Sequence, residues 1–222
     1  MSADDEILEI SGPRVEPQSG VAPEHLIVLV HGYGADGDDL IGLAGPWAQL
    51  MPTAAFVAPH GPDPCGMSPM GRQWFPLTDM SAEQRRVGVR QAAPILDRFI
   101  DQELERYGLS EAQLALVGFS QGTMMSLHVG LRRGVAPAGI VGYSGMLTGT
   151  GYLADEVTVR PPVFLIHGAD DDVIPVNAVG HASDALEGIG VDVRTHVSER
   201  TGHGVAQDGM ELGARFLRDA FS

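Results

Sequence analysis

Three kinds of residue in this chain could together perform acyl transfer: a serine on a glycine turn, a run of aspartates after a strand, and a histidine in a glycine loop. The serine is Ser120, in Gly118-Phe119-Ser120-Gln121-Gly122. An apolar run, Leu114–Val117, precedes it, and a stretch that reads as a helix, Gln121–Leu131, follows. Strand, sharp turn and helix give the G-x-S-x-G pattern its meaning, because the turn aims a hydroxyl outward from the top of a sheet. Glycines two residues to either side remove Cβ atoms that would strike neighbouring backbone. The Gln121 N–H, at the start of the helix, has no partner within it and points where negative charge would develop.

A serine nucleophile needs a base, and the base needs an orienting acid. In a sheet of this kind their order along the chain is serine, acid, histidine. Of the eight histidines, His25, His31, His60, His128 and His167 stand too early for that order. His181 falls in mid-helix and His196 in an alternating strand. His203, in Thr201-Gly202-His203-Gly204, has small neighbours and is expected to be the base. The acid should follow the apolar run Val163–His167, where Asp170, Asp171 and Asp172 stand consecutively. Like charges this close cannot all be buried cheaply, so at least two should face solvent. Position chooses Asp171. A second oxyanion donor should follow the run Leu26–Val30, in His31-Gly32-Tyr33-Gly34, and the Tyr33 N–H is the best candidate.

The elements that must hold these groups alternate along the chain. Buried strands are expected at Leu26–Val30, Ala54–Ala58, Leu114–Val117, Ala138–Tyr143 and Val163–His167, with an alternating strand near Val191–Val197. Helices are expected at about Asp38–Met51, Ser81–Tyr107, Gln121–Leu131, Asn177–Gly188 and Val205–Phe221. In the second of these, Ser81 is the N-cap, Gly108 the stop, and Pro94 predicts a kink or break. Ile7, Leu8 and Ile10 hint at a short edge strand. Residues 59–80 form a long irregular stretch, of a kind that is usually functional or mobile. Strands alternating with helices predict a mostly parallel sheet with helices on both faces. With no repeat or interdomain linker, residues 1–222 read as one α/β domain, 1–20 being peripheral.

Composition bounds the partners. The formal charge of −15 argues against nucleic acid and against stable association with anionic membranes. No apolar stretch reaches the length of a membrane span, and the N-terminus lacks a signal-peptide pattern, so a cytoplasmic location is expected. Cys65 is the single cysteine, has no basic neighbour, and reads as a passive loop thiol. The histidines and aspartates show no zinc-type spacing, and neither metal nor other cofactor is expected. A homodimer is compatible with the sequence.

Five stretches together resemble the phospholipase/carboxylesterase family of α/β-hydrolases, which includes acyl-protein thioesterases and small bacterial carboxylesterases. They are His31-Gly32-Tyr33-Gly34-Ala35-Asp36, Gln73-Trp74-Phe75, Gly118–Gly122, His167–Pro175 and Gly202-His203-Gly204. The resemblance implies Ser120 as nucleophile, Asp171 as acid and His203 as base. The Tyr33 and Gln121 amides would form the oxyanion hole, with Trp74 and Phe75 beside the substrate pocket. Tyr33 stands where leucine is usual and Thr123 where glycine is usual. The Asp170–Asp172 run is unusually acidic, and an insertion-like stretch, Pro64–Met70, precedes the tryptophan. The reading is a serine carboxylesterase that cleaves short-to-medium acyl esters of small molecules through an acyl-enzyme. Its rivals are a thioesterase or lysophospholipase acting on long acyl chains and, from another class, a non-catalytic binding module on the same fold.

Overall fold

A computed structural model describes residues 8–66, 68, 70–78 and 81–222. Ile7, and Met67, Pro69, Asp79 and Met80 of the long irregular stretch, lie outside the described residues. The strands of the main sheet are β1 (Arg14–Val15), β2 (His25–Val30), β3 (Ala54–Val57), β6 (Leu114–Phe119), β7 (Gly139–Tyr143), β8 (Val163–Gly168) and β9 (Val193–Ser198). A two-stranded hairpin, β4 (Asp63–Pro64) with β5 (Arg72–Gln73), lies within the long stretch between β3 and the next helix. The seven strands run in the order β1-β3-β2-β6-β7-β8-β9. All pair in parallel except β1, which runs antiparallel to β3.

The apolar runs become central strands because both of their faces are covered. Leu26, Val28 and Val30 turn to one side, where α3 (Ala82–Tyr107), α4 (Gln121–Gly130) and α6 (Asn177–Glu187) pack. Ile27 and Leu29 turn to the other, against α2 (Ala44–Ala48) and α7 (Gln207–Ala220). Two single-turn helices, α1 (Gly37–Leu40) and α5 (Leu153–Glu156), complete the set.

Several expectations shift. The edge strand lies at Arg14–Val15; residues 8–10, the described part of the expected edge strand, form none, and Leu8 is exposed. The docking point is set by Arg14, whose guanidinium donates to the buried Glu103 carboxylate at 2.8 and 2.5 Å. The helix expected over 38–51 splits into α1, a 3₁₀ turn at Ile41–Leu43, and α2. Pro46 has no N–H to give the preceding turn, and Gly42 and Gly45 weaken the same stretch. In contrast, α3 continues through Pro94 with no break. Pro94 is exposed, while Val89, Ala92 and Leu96 hold the inner face in the core. Its ends match the expected signals: Ser81 Oγ accepts from the Gln84 N–H at 3.1 Å, and Gly108 closes the helix at φ 65°.

The parallel strands all deliver their carboxyl ends to one edge of the sheet. The loops after β2, β6, β8 and β9 therefore converge there, the usual position for a site in an open α/β sheet.

Candidate active site

Ser120 occupies the tight turn between β6 and α4, at φ 54° and ψ −113°, a conformation non-glycine residues rarely adopt. Its N–H donates to the Tyr143 carbonyl on the neighbouring strand at 2.9 Å, which pins the turn to the sheet. The two glycines are required by contact. A Cβ on Gly118 would lie 2.4 Å from Gly122 backbone, and one on Gly122 would lie 1.8 Å from the Val30 carbonyl oxygen. Strain at Ser120 is thus held by close strand-to-helix packing that no larger residue allows.

His203, in the loop between β9 and α7, points its Nε2 at Ser120 Oγ, 3.0 Å away. Its Nδ1 lies 2.8 Å from Asp171 Oδ2. The carboxylate cannot donate, so Nδ1 carries the proton and Nε2 is left to accept from the serine. The Phe119 ring lies 5.0 Å from the imidazole, centroid to centroid, and limits its swing.

Burial separates the three aspartates. Asp170 and Asp172 are exposed, whereas the Asp171 side chain is closed to solvent. Asp171 Oδ1 accepts from the N–H groups of Val173 at 3.0 Å and Ile174 at 2.9 Å, leaving Oδ2 for His203. Burial pushes this carboxyl up, but the bonds from Ile174, His203 and Val173 outweigh it and its pKa lies below the ordinary 3.8. The acid therefore stays ionised where a positive imidazole would need it. The rival histidines are elsewhere: His181 is exposed on α6, and His196 pairs with Asp208 at 2.8 Å on the surface.

The loop after β2 presses on the serine turn, since a Cβ on Gly32 would lie 3.2 Å from Ser120 Cβ. Tyr33 follows directly, and Gly34 turns the chain at φ 84°. The hairpin of the long stretch braces this loop: Gly34 N–H donates to Arg72 O, and Arg72 N–H to Ala35 O, both at 2.9 Å. Gln121 is the first residue of α4, directly after Ser120, and Tyr33 directly follows Gly32, whose added Cβ would lie 3.2 Å from Ser120 Cβ. A hydrogen bond to Cys65, with burial second, pushes the Tyr33 phenol above its ordinary 10.0. Cys65 is thus buried and engaged, which the sequence reading of a passive thiol missed.

Trp74 and Phe75, expected beside the substrate pocket, are 1% and 2% exposed. The Trp74 indole N–H donates to the His31 carbonyl at 3.0 Å, and the Phe75 ring packs on Gly88 of α3. Met124 and Met125 likewise belong to the core beneath α4. A cavity of about 200 Å³ lies next to the serine turn, lined by residues that include Gly32, Leu40, Phe119 and Val205 but not Ser120 or His203. A larger groove, about 610 Å³, runs between Met146, Leu147 and α6.

One group with ligand potential escaped the spacing argument. Asp36, Asp38 and His60 bring oxygen and nitrogen atoms within 4.8 Å of one another. Local bonds already use this cluster. Asp36 Oδ1 caps α1 by accepting from Asp38 and Asp39 amides, and His60 Nδ1 accepts from Gly37 N–H at 3.2 Å.

Comparison with known proteins gives the framework a family. The phospholipase/carboxylesterase family model matches residues 12–220. The chain belongs to that family. It is therefore a serine hydrolase of the α/β-hydrolase fold and a carboxylesterase by class. The crystal structure of esterase PE8 superposes with a TM-score of 0.92 at 42% identity, covering 96% of this chain and 100% of that one. Esterase YpfH of Escherichia coli is 30% identical, covering 88% of this chain and 82% of its own length. Acyl-protein thioesterase 1 of Gibberella zeae is 27% identical, over 86% of this chain and 88% of its own. Among the described residues, no helix is long and apolar enough to cross a membrane.

Proposed function

We propose that this chain hydrolyses short-to-medium acyl esters of dispersed small molecules, with Ser120 as nucleophile, His203 as base and Asp171 as acid. The observation that carries this reading is the unbroken line from Ser120 Oγ through both imidazole nitrogens to Asp171, at 3.0 and 2.8 Å. Ser120 Oγ attacks the ester carbonyl carbon while His203 Nε2 takes its proton. The carbonyl oxygen, now negative, accepts from the Tyr33 and Gln121 amides, which stand fixed before the charge develops. His203 returns the proton to the leaving alkoxide as the C–O bond breaks, and the acyl group remains on Ser120. A water molecule, deprotonated by the same imidazole, then attacks, and the carboxylic acid leaves with the serine restored. Asp171 holds the imidazole in the accepting tautomer and stabilises its transient positive charge.

The short-to-medium preference rests on space and charge. The cavity next to the serine turn, at Gly32 and Phe119, holds about 200 Å³, below the roughly 300–1,000 Å³ of sites for drug-sized ligands. A net charge of −15 opposes approach to anionic bilayers. A long-chain thioester reading draws on the groove of about 610 Å³ at Met146 and Leu147, and on the thioesterase relatives. A chain-length series of p-nitrophenyl esters beside the matching acyl-thioesters separates the two. We expect kcat/KM to peak at short or medium esters. A continued rise to long chains, or a faster long-chain thioester, would transfer the assignment to the second reading. We also take residues 1–222 as a single α/β-hydrolase domain with 1–20 peripheral, a reading supported by a family match over residues 12–220.

A further inference from the structure

Gln121 carries a feature distinct from its backbone amide. Its side chain is 1% exposed, yet both ends of the carboxamide are engaged. Oε1 accepts from the Trp74 N–H at 2.9 Å, and Nε2 donates to the Phe75 carbonyl at 2.8 Å. Oxygen and nitrogen cannot be exchanged, because one end faces a donor and the other an acceptor. The clamped dipeptide lies 46 or 47 residues from Gln121 in sequence and continues the chain of bonds. Trp74 Nε1–H donates to the His31 carbonyl at 3.0 Å, with the His31 and Trp74 rings tilted at 5.5 Å. His31 Nε2 accepts from the Gly61 N–H at 2.7 Å, so its proton sits on Nδ1 and is donated to the Gly32 carbonyl, also at 2.7 Å. Burial pushes the His31 ring below its ordinary 6.5, and the neutral tautomer these bonds require is the one favoured. The residue after Gly32 is Tyr33.

We infer that the Gln121 side chain is a positioning residue that registers the two oxyanion donors against each other. One donor is the Gln121 amide itself, and the other, the Tyr33 amide, is reached through Trp74, His31 and Gly32. Preorganised donors act only while they are aimed at the developing charge, so a small drift of the Tyr33 loop should be felt in the transition state and hardly in substrate binding. The inference rests on Ser120 as nucleophile and on those two amides as donors.

The donor at Gln121 is backbone, so it survives any side-chain change. Gln121→Met keeps the volume and removes both bonds. We expect kcat to fall on the order of 10²-fold, in the range seen when one oxyanion donor is lost, with KM within about threefold. Affinity for an alkyl boronic acid, which mimics the tetrahedral state, should fall in parallel with kcat/KM. Trp74→Phe removes one link and should show the same signature more weakly. The double variant should lose less than the product of the two single losses. Gln121→Glu adds a pH test. A protonated carboxyl can accept from Trp74 and donate to Phe75, whereas a carboxylate sets an acceptor against the Phe75 carbonyl. That variant should gain an alkaline loss of kcat, reversed on acidification, where the parent protein has none, with circular dichroism unchanged across the range. If Gln121→Met fails to fold, Gln121→Glu decides. A folded Gln121→Met with kcat within threefold of the parent, a change confined to KM, or a Gln121→Glu profile like the parent's would overturn the inference. Activity retained by Ser120→Ala would instead remove the reading beneath it.

Discussion

Helix α4 has a histidine near each end, and only one of them is equipped for chemistry. At its start, His203 bridges Ser120 and a carboxylate whose other oxygen is held by two amides. Near its finish, His128 shares a cleft of about 440 Å³ with Arg90, Arg132, Glu156 and Thr158. That cleft is roughly twice the cavity next to the serine turn, yet its acid is already spent. Glu156 accepts from Arg132 at 2.6 Å and from Arg90 at 3.0 Å, leaving no oxygen directed at the imidazole. The His128 ring has no hydrogen-bond partner among the described residues; burial, with Arg132 second, pushes its pKa down to about 4. It is neutral, but no hydrogen bond among the described residues orients it, and the hydroxyl of Thr158 in the same cleft donates to the Leu131 and Arg133 carbonyls. What separates the two ends is which polar atoms remain free to act, and cavity size points the wrong way.

The largest expected effect tests the first end directly. Ser120→Ala should cost on the order of 10⁶ in kcat, as loss of the nucleophile does in another serine hydrolase. Fluorophosphonate labelling should vanish with it, and labelling that survives would show that the contrast between the two ends was misread. Next comes the orienting acid. Asp171→Asn leaves the shape but favours the wrong imidazole tautomer, which cost about 10⁴ in kcat in a serine protease. Asp170→Asn and Asp172→Asn, both exposed, should change kcat by less than about threefold. Equal losses at all three would mean that the loop's fold, and not one carboxylate, was being measured.

The opposite end should answer in stability alone. Glu156→Gln should leave kcat/KM within about twofold while lowering the melting temperature, because Arg132, 18% exposed, keeps its charge and loses its partner. A tenfold loss of kcat would join the cleft to the catalytic machinery. The smallest effect concerns His128 and acid. The unfolded ring binds a proton below about 6.5 and the folded ring only below about 4, so between these values the unfolded state holds more protons. Stability should be fully present above pH 6.5 and decline by up to about 3 kcal/mol as pH falls through that window. In His128→Leu, denaturation midpoints should lose that component of acid sensitivity. An unaltered acid slope would place the titrating group elsewhere.

Local chemistry made much of this legible beforehand. The apolar runs, the Ser81 cap, the Gly108 stop and the glycine-framed turn at Ser120 are all written in short windows, because period and φ preference act between near neighbours. Chain order then singled out His203, and three consecutive aspartates could not all be buried. Partners distant in sequence carry no such periodic mark. Trp74 and Phe75 read as residues beside a pocket, but no local pattern shows their partners, the His31 carbonyl for one and Gly88 of α3 for the other. The Gln121 side chain spans to them across a separation that no local pattern encodes. Thr123 shows the same limit. A Cβ on Gly142 or Gly145 would lie within 2.6 Å of its side chain, so those glycines make room for a residue on another element. Pro94 suggested a break that does not occur in α3, whereas the helix expected over 38–51 is interrupted around Gly42, Gly45 and Pro46 although Ala44, Trp47 and Ala48 are buried. The sequence by itself determined the central strands and the turn at Ser120, because each depends on near neighbours. Only the tertiary structure decided which aspartate is sheltered and that the Gln121 side chain bonds to Trp74 and Phe75, because burial and long-range hydrogen bonds exist only once the sheet has assembled.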